Sequence, residues 1–188
     1  VNRHNTKQKS INKSMMKDNQ DALLLQLHKA AKGGNVERVE SLLNQHPDWI
    51  IATDKNGDTV LHHAVSSQRG ITVVQYLLHQ HCNSKNKNSS KNNKAIIEMI
   101  NHQNRYGETA LHRAASHNDK DHAARLVRCL LEHSCGIRNM EVNLQTNRGD
   151  TALHDAYKQG NLQVVQVLSY CYCHHRNSNN INTILVST

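Results

Sequence analysis

The side chains of this chain best able to hold a metal or attack a substrate are its imidazoles and thiols, 15 histidines and five cysteines. They gather in three places: His79, His81 and Cys82; His133 and Cys135; and Cys171, Cys173, His174 and His175. Such clusters hold zinc when each ligand atom can come within about 2.0–2.3 Å of the ion. The candidate ligand set is the last group, yet its spacing matches no strong zinc pattern, and no metal or other cofactor is expected. Five cysteines without a paired framework suit a reducing compartment. Arg148-Gly149-Asp150 spells an integrin-type tripeptide, but its glycine and aspartate are explained by a turn that recurs along the chain. No glycine-rich phosphate loop, activated serine or catalytic pair is present, so the chain is not expected to be an enzyme.

Charge narrows the partners. The formal net charge is +8, and residues 1–20 and 82–95 each carry a net +4, which leaves the rest neutral. Both segments are rich in Asn, Lys and Ser and too polar to bury a core. The Lys85–Lys94 run reads as a solvated loop. The folded part lacks the basic face that marks nucleic-acid binding, so nucleic acid is not an expected partner. No apolar run approaches the ~18 residues of a membrane span, and the basic N-terminus lacks a secretory h-region. A cytoplasmic location is therefore expected.

The elements that must position these groups show themselves as a repeat. Leu27-His28-Lys29-Ala30-Ala31 returns as Leu61-His62-His63-Ala64-Val65, Leu111-His112-Arg113-Ala114-Ala115 and Leu153-His154-Asp155-Ala156-Tyr157. Three of these follow a glycine turn and a threonine: Asn56-Gly57-Asp58-Thr59, Tyr106-Gly107-Glu108-Thr109 and Arg148-Gly149-Asp150-Thr151. The glycines allow a positive φ, and the threonines are placed to cap the helix that starts beside them. Each copy is followed by a second apolar stretch: Val39 with Leu42-Leu43, Val73-Val74 with Leu77-Leu78, Leu126-Val127 with Leu130-Leu131, and Val164-Val165 with Leu168. Steps of three and four residues make one apolar stripe per helix. With 37% hydrophobic residues, 3% aromatics and no Phe, the core must be thin aliphatic layers. No single unit could bury its stripe, so the units must stack.

Those segments resemble the ankyrin repeat, a unit of ~33 residues made of a turn and two helices with a Thr-Pro-Leu-His-x-Ala signature. The resemblance covers roughly residues 21–175. Val60, Ala110 and Ala152 replace the signature proline, Leu25 stands where the first unit should have threonine, and spacings of 34, 50 and 42 residues between the leucines require insertions. It implies an all-α solenoid of four helix-turn-helix units joined by short β-hairpin-like turns. The expected order is a basic flexible segment (1–20), units at about 21–54, 55–104, 105–146 and 147–176 with a mobile insertion at 82–95, and a tail at 177–188. That tail is either half of a further hairpin closing the stack or a frayed end. Ser116–Asp121 and Gly136–Met140 are read as lengthened loops.

The resemblance also implies roles. The histidines His28, His62, His112 and His154 would bond the threonine hydroxyl and the neighbouring hairpin. Cys82, Cys135 and Cys173 would fall in one column usually held by a small alanine. Stacked helices ~8–10 Å apart would then keep them from sharing a metal or a disulfide. A concave face of hairpin tips and first helices would bind another protein. Its residues here are Lys55, Asn56, Arg105, Tyr106, Asn147 and Arg148 at the tips, and Lys29, His63, Arg113 and Asp155 directly after each Leu-His, expected to face solvent. Tyr106 with Arg105 and Arg113 is the expected energetic centre, because Tyr and Arg dominate interface hot spots. The chain is therefore expected to be a monomeric, non-catalytic adaptor for a protein with an acidic, partly apolar patch. It is similar to effector-type ankyrin proteins of intracellular bacteria or viruses, which act in host cytoplasm. The alternative is a metal- or nucleic-acid-associated regulator using its Cys/His-rich end or its lysine-rich segments.

Overall fold

A computed structural model describes residues 19–82, 90–133 and 140–175, with side chains for all of these but 80–82, 90–93, 133 and 172–175. The expectations for residues 1–18, the centre of the 82–95 insertion, Gly136 to Asn139 and the 177–188 tail lie outside the described residues.

Helices arrive in pairs. The first, α1, is described over residues 19–33, and α2 spans Val36–Gln45. The second pair is α3 (Val60–Val65) and α4 (Ile71–Cys82). A further helix, α5 (Ser90–Asn101), precedes the third pair, α6 (Ala110–Ala115) and α7 (Lys120–His133). The last pair is α8 (Ala152–Lys158) and α9 (Leu162–His175). Short 3-10 turns cover Pro47–Ile50 and Gln68–Gly70. No strand forms among the described residues, and none of their helices is long and apolar enough to cross a membrane.

Each short first helix starts at a threonine for a local reason. Thr59, Thr109 and Thr151 sit in extended backbone, and in each case the threonine and the histidine three residues on form a reciprocal capping box. The usual partner in such a box is Glu or Gln; here an imidazole does that work. The second helices have their own caps. Asn35 accepts from the Arg38 amide at 2.8 Å, Asp119 from the His122 amide at 3.0 Å and Asn161 from the Val164 amide at 3.2 Å.

Stacking follows the repeat. The first helices α3, α6 and α8 pack in file, and the second helices α2, α4, α7 and α9 make a parallel file behind them. The apolar stripes seal between the files: Leu27, Val39, Leu61, Val74, Leu77, Leu111, Leu126, Leu130, Val164 and Leu168 belong to one continuous core. The leucines do not converge on a single centre.

One expectation changes. Residues 90–95 were placed in the loop insertion, but they are the opening turns of α5, which packs on α4 and on the Pro47–Ile50 turn. The reason lies after the polar start: Ile96, Met99 and Ile100 are buried on one helical stripe.

Candidate functional site

Three turns of one construction line the edge of the stack. At the first residue of each turn a side-chain oxygen collects two backbone amides. Asp54 accepts from Asn56 and Asp58 at 2.7 and 3.0 Å, Asn104 from Tyr106 and Glu108 at 2.9 and 3.0 Å, and Thr146 from Arg148 and Asp150 at 3.3 Å each. Gly57, Gly107 and Gly149 close the turns at φ 79, 74 and 81°. At Gly107 the need is double, since a Cβ there would lie 2.6 Å from the Asn147 backbone nitrogen.

Neighbouring turns are joined tip to tip. The Arg105 amide donates to the Asn56 carbonyl at 3.0 Å, and the Asn147 amide to the Tyr106 carbonyl at 2.9 Å. Asn147 Nδ2 adds a bond to the Arg105 carbonyl at 2.8 Å. The tips therefore form one continuous ribbon, Lys55-Asn56, Arg105-Tyr106, Asn147-Arg148.

The signature histidines tie each turn to the next unit. The Thr59 amide donates to His62 Nδ1 at 3.3 Å, so that nitrogen is unprotonated and Nε2 carries the proton it donates to the Glu108 carbonyl, 3.0 Å away. His112 repeats the pattern with Thr109 and the Asp150 carbonyl at 3.2 Å. His154 keeps the bond to Thr151 but is exposed. His28 departs from the pattern because Leu25 replaces the threonine; its ring stacks on His63 with centroids 4.5 Å apart. Burial pushes both His28 and His62 down to about 4, with the His63 charge adding to the effect at His28.

Of the residues expected on the binding face, Lys29, Lys55, Arg105, Tyr106, Asn147 and Arg148 are exposed, with Tyr106 at 59%. Asn56, His63, Arg113 and Asp155 are half-buried. The expectation that His63 and Arg113 point freely to solvent is corrected. The Arg113 guanidinium lies 2.9 Å from the Asp58 carboxylate of the preceding unit and 3.4 Å from Glu108, and its side chain is 23% exposed against 4% for Asp58. His63 Nε2 sits 3.2 Å from Asp54. Burial lowers the His63 pKa. Burial alone would raise Asp54, but the Asp58 and Asn56 amides and His63 outweigh it and hold its carboxyl below the usual range. Asp155 is driven upward by burial, with Asp150 and Glu108 as unfavourable neighbours.

The residues that sequence reasoning missed are the partners in this network: Asp58, Asn104 and Glu108. Asn104 Nδ2 donates to Asp58 at 2.9 Å and to Glu108 at 3.1 Å. The acid that precedes each capping threonine was the available signal, one unit away from Arg113 in the fold.

Asp54, Asp58 and His63 bring ligand atoms within 4.8 Å of one another. Their lone pairs are already engaged, by two amides, His63, Asn104 and the Arg113 guanidinium, and a fixed cation sits where an ion would have to. The trio is an ion-pair network. In the Cys/His-rich end, Cys171 is buried in the core and its thiol is raised by burial. The side chains of Cys173, His174 and His175, and those of Cys82 and Cys135, lie outside the described residues.

Comparison with known proteins agrees with this geometry. A family model described as ankyrin repeats (three copies) matches residues 7–89 and 88–180. No curated protein matches the sequence. Among solved structures, the fold is similar to a chain in the crystal structure of the yeast ribosomal protein Rps3 in complex with its chaperone Yar1. That likeness has 20% identity and a TM-score of 0.59, and it covers 80% of this chain and 90% of that one. At such identity the likeness is one of fold.

Proposed function

Because the chain belongs to the ankyrin-repeat family, a family of protein-interaction modules, we propose that it is a non-catalytic adaptor gripping an acidic, partly apolar protein surface along its ribbon of turn tips. One observation carries the reading. The acids on this side of the stack are spent inside it, Asp54 on His63, Asp58 and Glu108 on Arg113, and Asp150 on Lys158. Lys29, Lys55, Arg105 and Arg148 are exposed and bear no ion pair with an acid among the described residues, beside an exposed Tyr106. The tips thus offer unbalanced positive charge around an amphipathic ring, a combination that favours acidic partners and fast encounter. Adaptor and effector roles share this face, and the identity of the partner separates them.

The test is affinity capture from cell extract with the chain and with an Arg105→Ala/Tyr106→Ala variant. Proteins retained by the first and lost by the second support the reading. A partner held equally by both would place its site elsewhere and sink it.

A further inference from the structure

The spacing of the tip ribbon defines the shape of what it can hold. Along the ribbon, consecutive residues within a tip are ~3.8 Å apart and hydrogen-bonded neighbours across tips ~5 Å apart. Lys55 to Arg105 is therefore one unit step of about 9 Å, and Arg148 lies one further step along, beyond Tyr106. A β-strand fits this badly. Its side chains alternate faces, so residues three apart point in opposite directions. A polyproline-II helix has three residues per turn and a rise of ~3.1 Å, so every third side chain returns to one face at a pitch of ~9.3 Å. That pitch equals the step between tips.

We propose that the ribbon binds an acidic segment in the polyproline-II conformation, with a carboxylate at every third residue and proline packed against Tyr106. The proposal deepens the adaptor reading and rests on it. Three features select this ligand. Lys55, Arg105 and Arg148 are exposed cations without an acid partner among the described residues, carried by a backbone that the cross-tip bonds hold in register. Tyr106, 59% exposed, stands between the second and third cations, as aromatic rings stand in grooves that receive proline-rich segments. A preformed polyproline-II segment also loses little entropy on binding, which matters when each exposed ion pair is weak. The three cations are spaced wider than the ~6 Å between successive phosphates of a single strand, so the pattern suits carboxylates better.

The experiment uses the whole chain and a labelled nine-residue peptide made of three Glu-Pro-Ser units, with a second peptide of identical composition in which the three glutamates are adjacent. Binding is followed by fluorescence polarisation and by amide shifts of Lys55, Arg105, Tyr106 and Arg148. Expected results are at least fivefold weaker binding of the clustered peptide, at least threefold weaker binding by Arg105→Ala and by Tyr106→Ala, and marked weakening at high salt. Shifts should be confined to the tips. Equal affinity for the two peptides would overturn the spacing rule, while leaving the adaptor reading to the capture experiment. Binding unchanged in both variants, no binding by either peptide, or stronger competition by an oligothymidine than by the patterned peptide would each overturn the proposal.

Discussion

Arg113 holds two units together, and removing it should show how strongly. Arg113→Met leaves the buried Asp58 carboxylate with Asn104 as its remaining side-chain donor, and an unpaired buried charge is costly. We expect a loss of about 2–3 kcal/mol in urea unfolding. Asp58→Asn on the same background should restore part of it, because the double substitution removes the stranded charge. A single-variant loss below ~0.5 kcal/mol, or no recovery in the double variant, would show that the pair carries little. The imidazoles predict a pH dependence of definite sign. The folded-state pKa values of His28 and His62 are lowered to about 4 from an ordinary 6.5. The unfolded chain thus binds more protons, so this contribution is complete above pH ~6.5 and lost as the pH falls toward 4. A single histidine so shifted costs about 2 kcal/mol between pH 7 and pH 5. Chemical denaturation across that range measures the loss, and NMR titration of the His62 ring checks its origin. A His62 that titrates near 6.5 in the folded protein would refute the assignment.

The turns and their helices were legible in the sequence to different depths. Thr59 with His62, and Thr109 with His112, were readable because the bonding partners are three residues apart and recur. The roles of Asp58 and Arg113 were not, because they lie 55 positions apart and meet through the stack. Helix α5 was obscured by its polar opening from Ser90 to Lys94, whose place is set by Ile96, Met99 and Ile100 further on. Within the turns, the structure separates two glycines that look equivalent in sequence. Both Gly107 and Gly149 have positive φ, but a Cβ at Gly107 would strike the Asn147 backbone, whereas at Gly149 nothing lies within 4 Å. Gly149→Ala should therefore cost about 1 kcal/mol, the penalty of left-handed backbone alone. Gly107→Ala should cost clearly more, about 2–3 kcal/mol, since it also breaks the tip-to-tip bond. Thermal melts of the two variants compare them directly. Equal melting temperatures would mean that the ribbon is not held by the Tyr106–Asn147 bond.

At the scale of the whole molecule, the stack is a row of layers in which each unit is stabilised by its neighbours, so position in the row governs local stability. The third unit is covered on both flanks: α6 packs on α3 and α8, and α7 on α4 and α9. Its His112, Leu126 and Leu130 are buried accordingly. The fourth unit is more open. His154 is exposed where His112 is buried, Leu153 is half-buried where Leu111 is buried, and Tyr157 and Leu162 stand 77% and 73% exposed. Hydrogen exchange should therefore grade along the row, with α6 and α7 amides opening only near the global unfolding free energy and α8 amides opening sooner. Leu126→Ala should lower the whole gradient, because it removes buried side-chain volume at the junction of α4, α7 and α9; core truncations of this kind cost about 2–5 kcal/mol. A substitution at the exposed Leu162 should leave α6 protection unchanged. Exchange measured by mass spectrometry on the intact chain resolves these segments. Protection that is uniform from α3 to α9, and lost uniformly in Leu126→Ala, would mean that the row unfolds as one cooperative body and that its layers do not differ in stability.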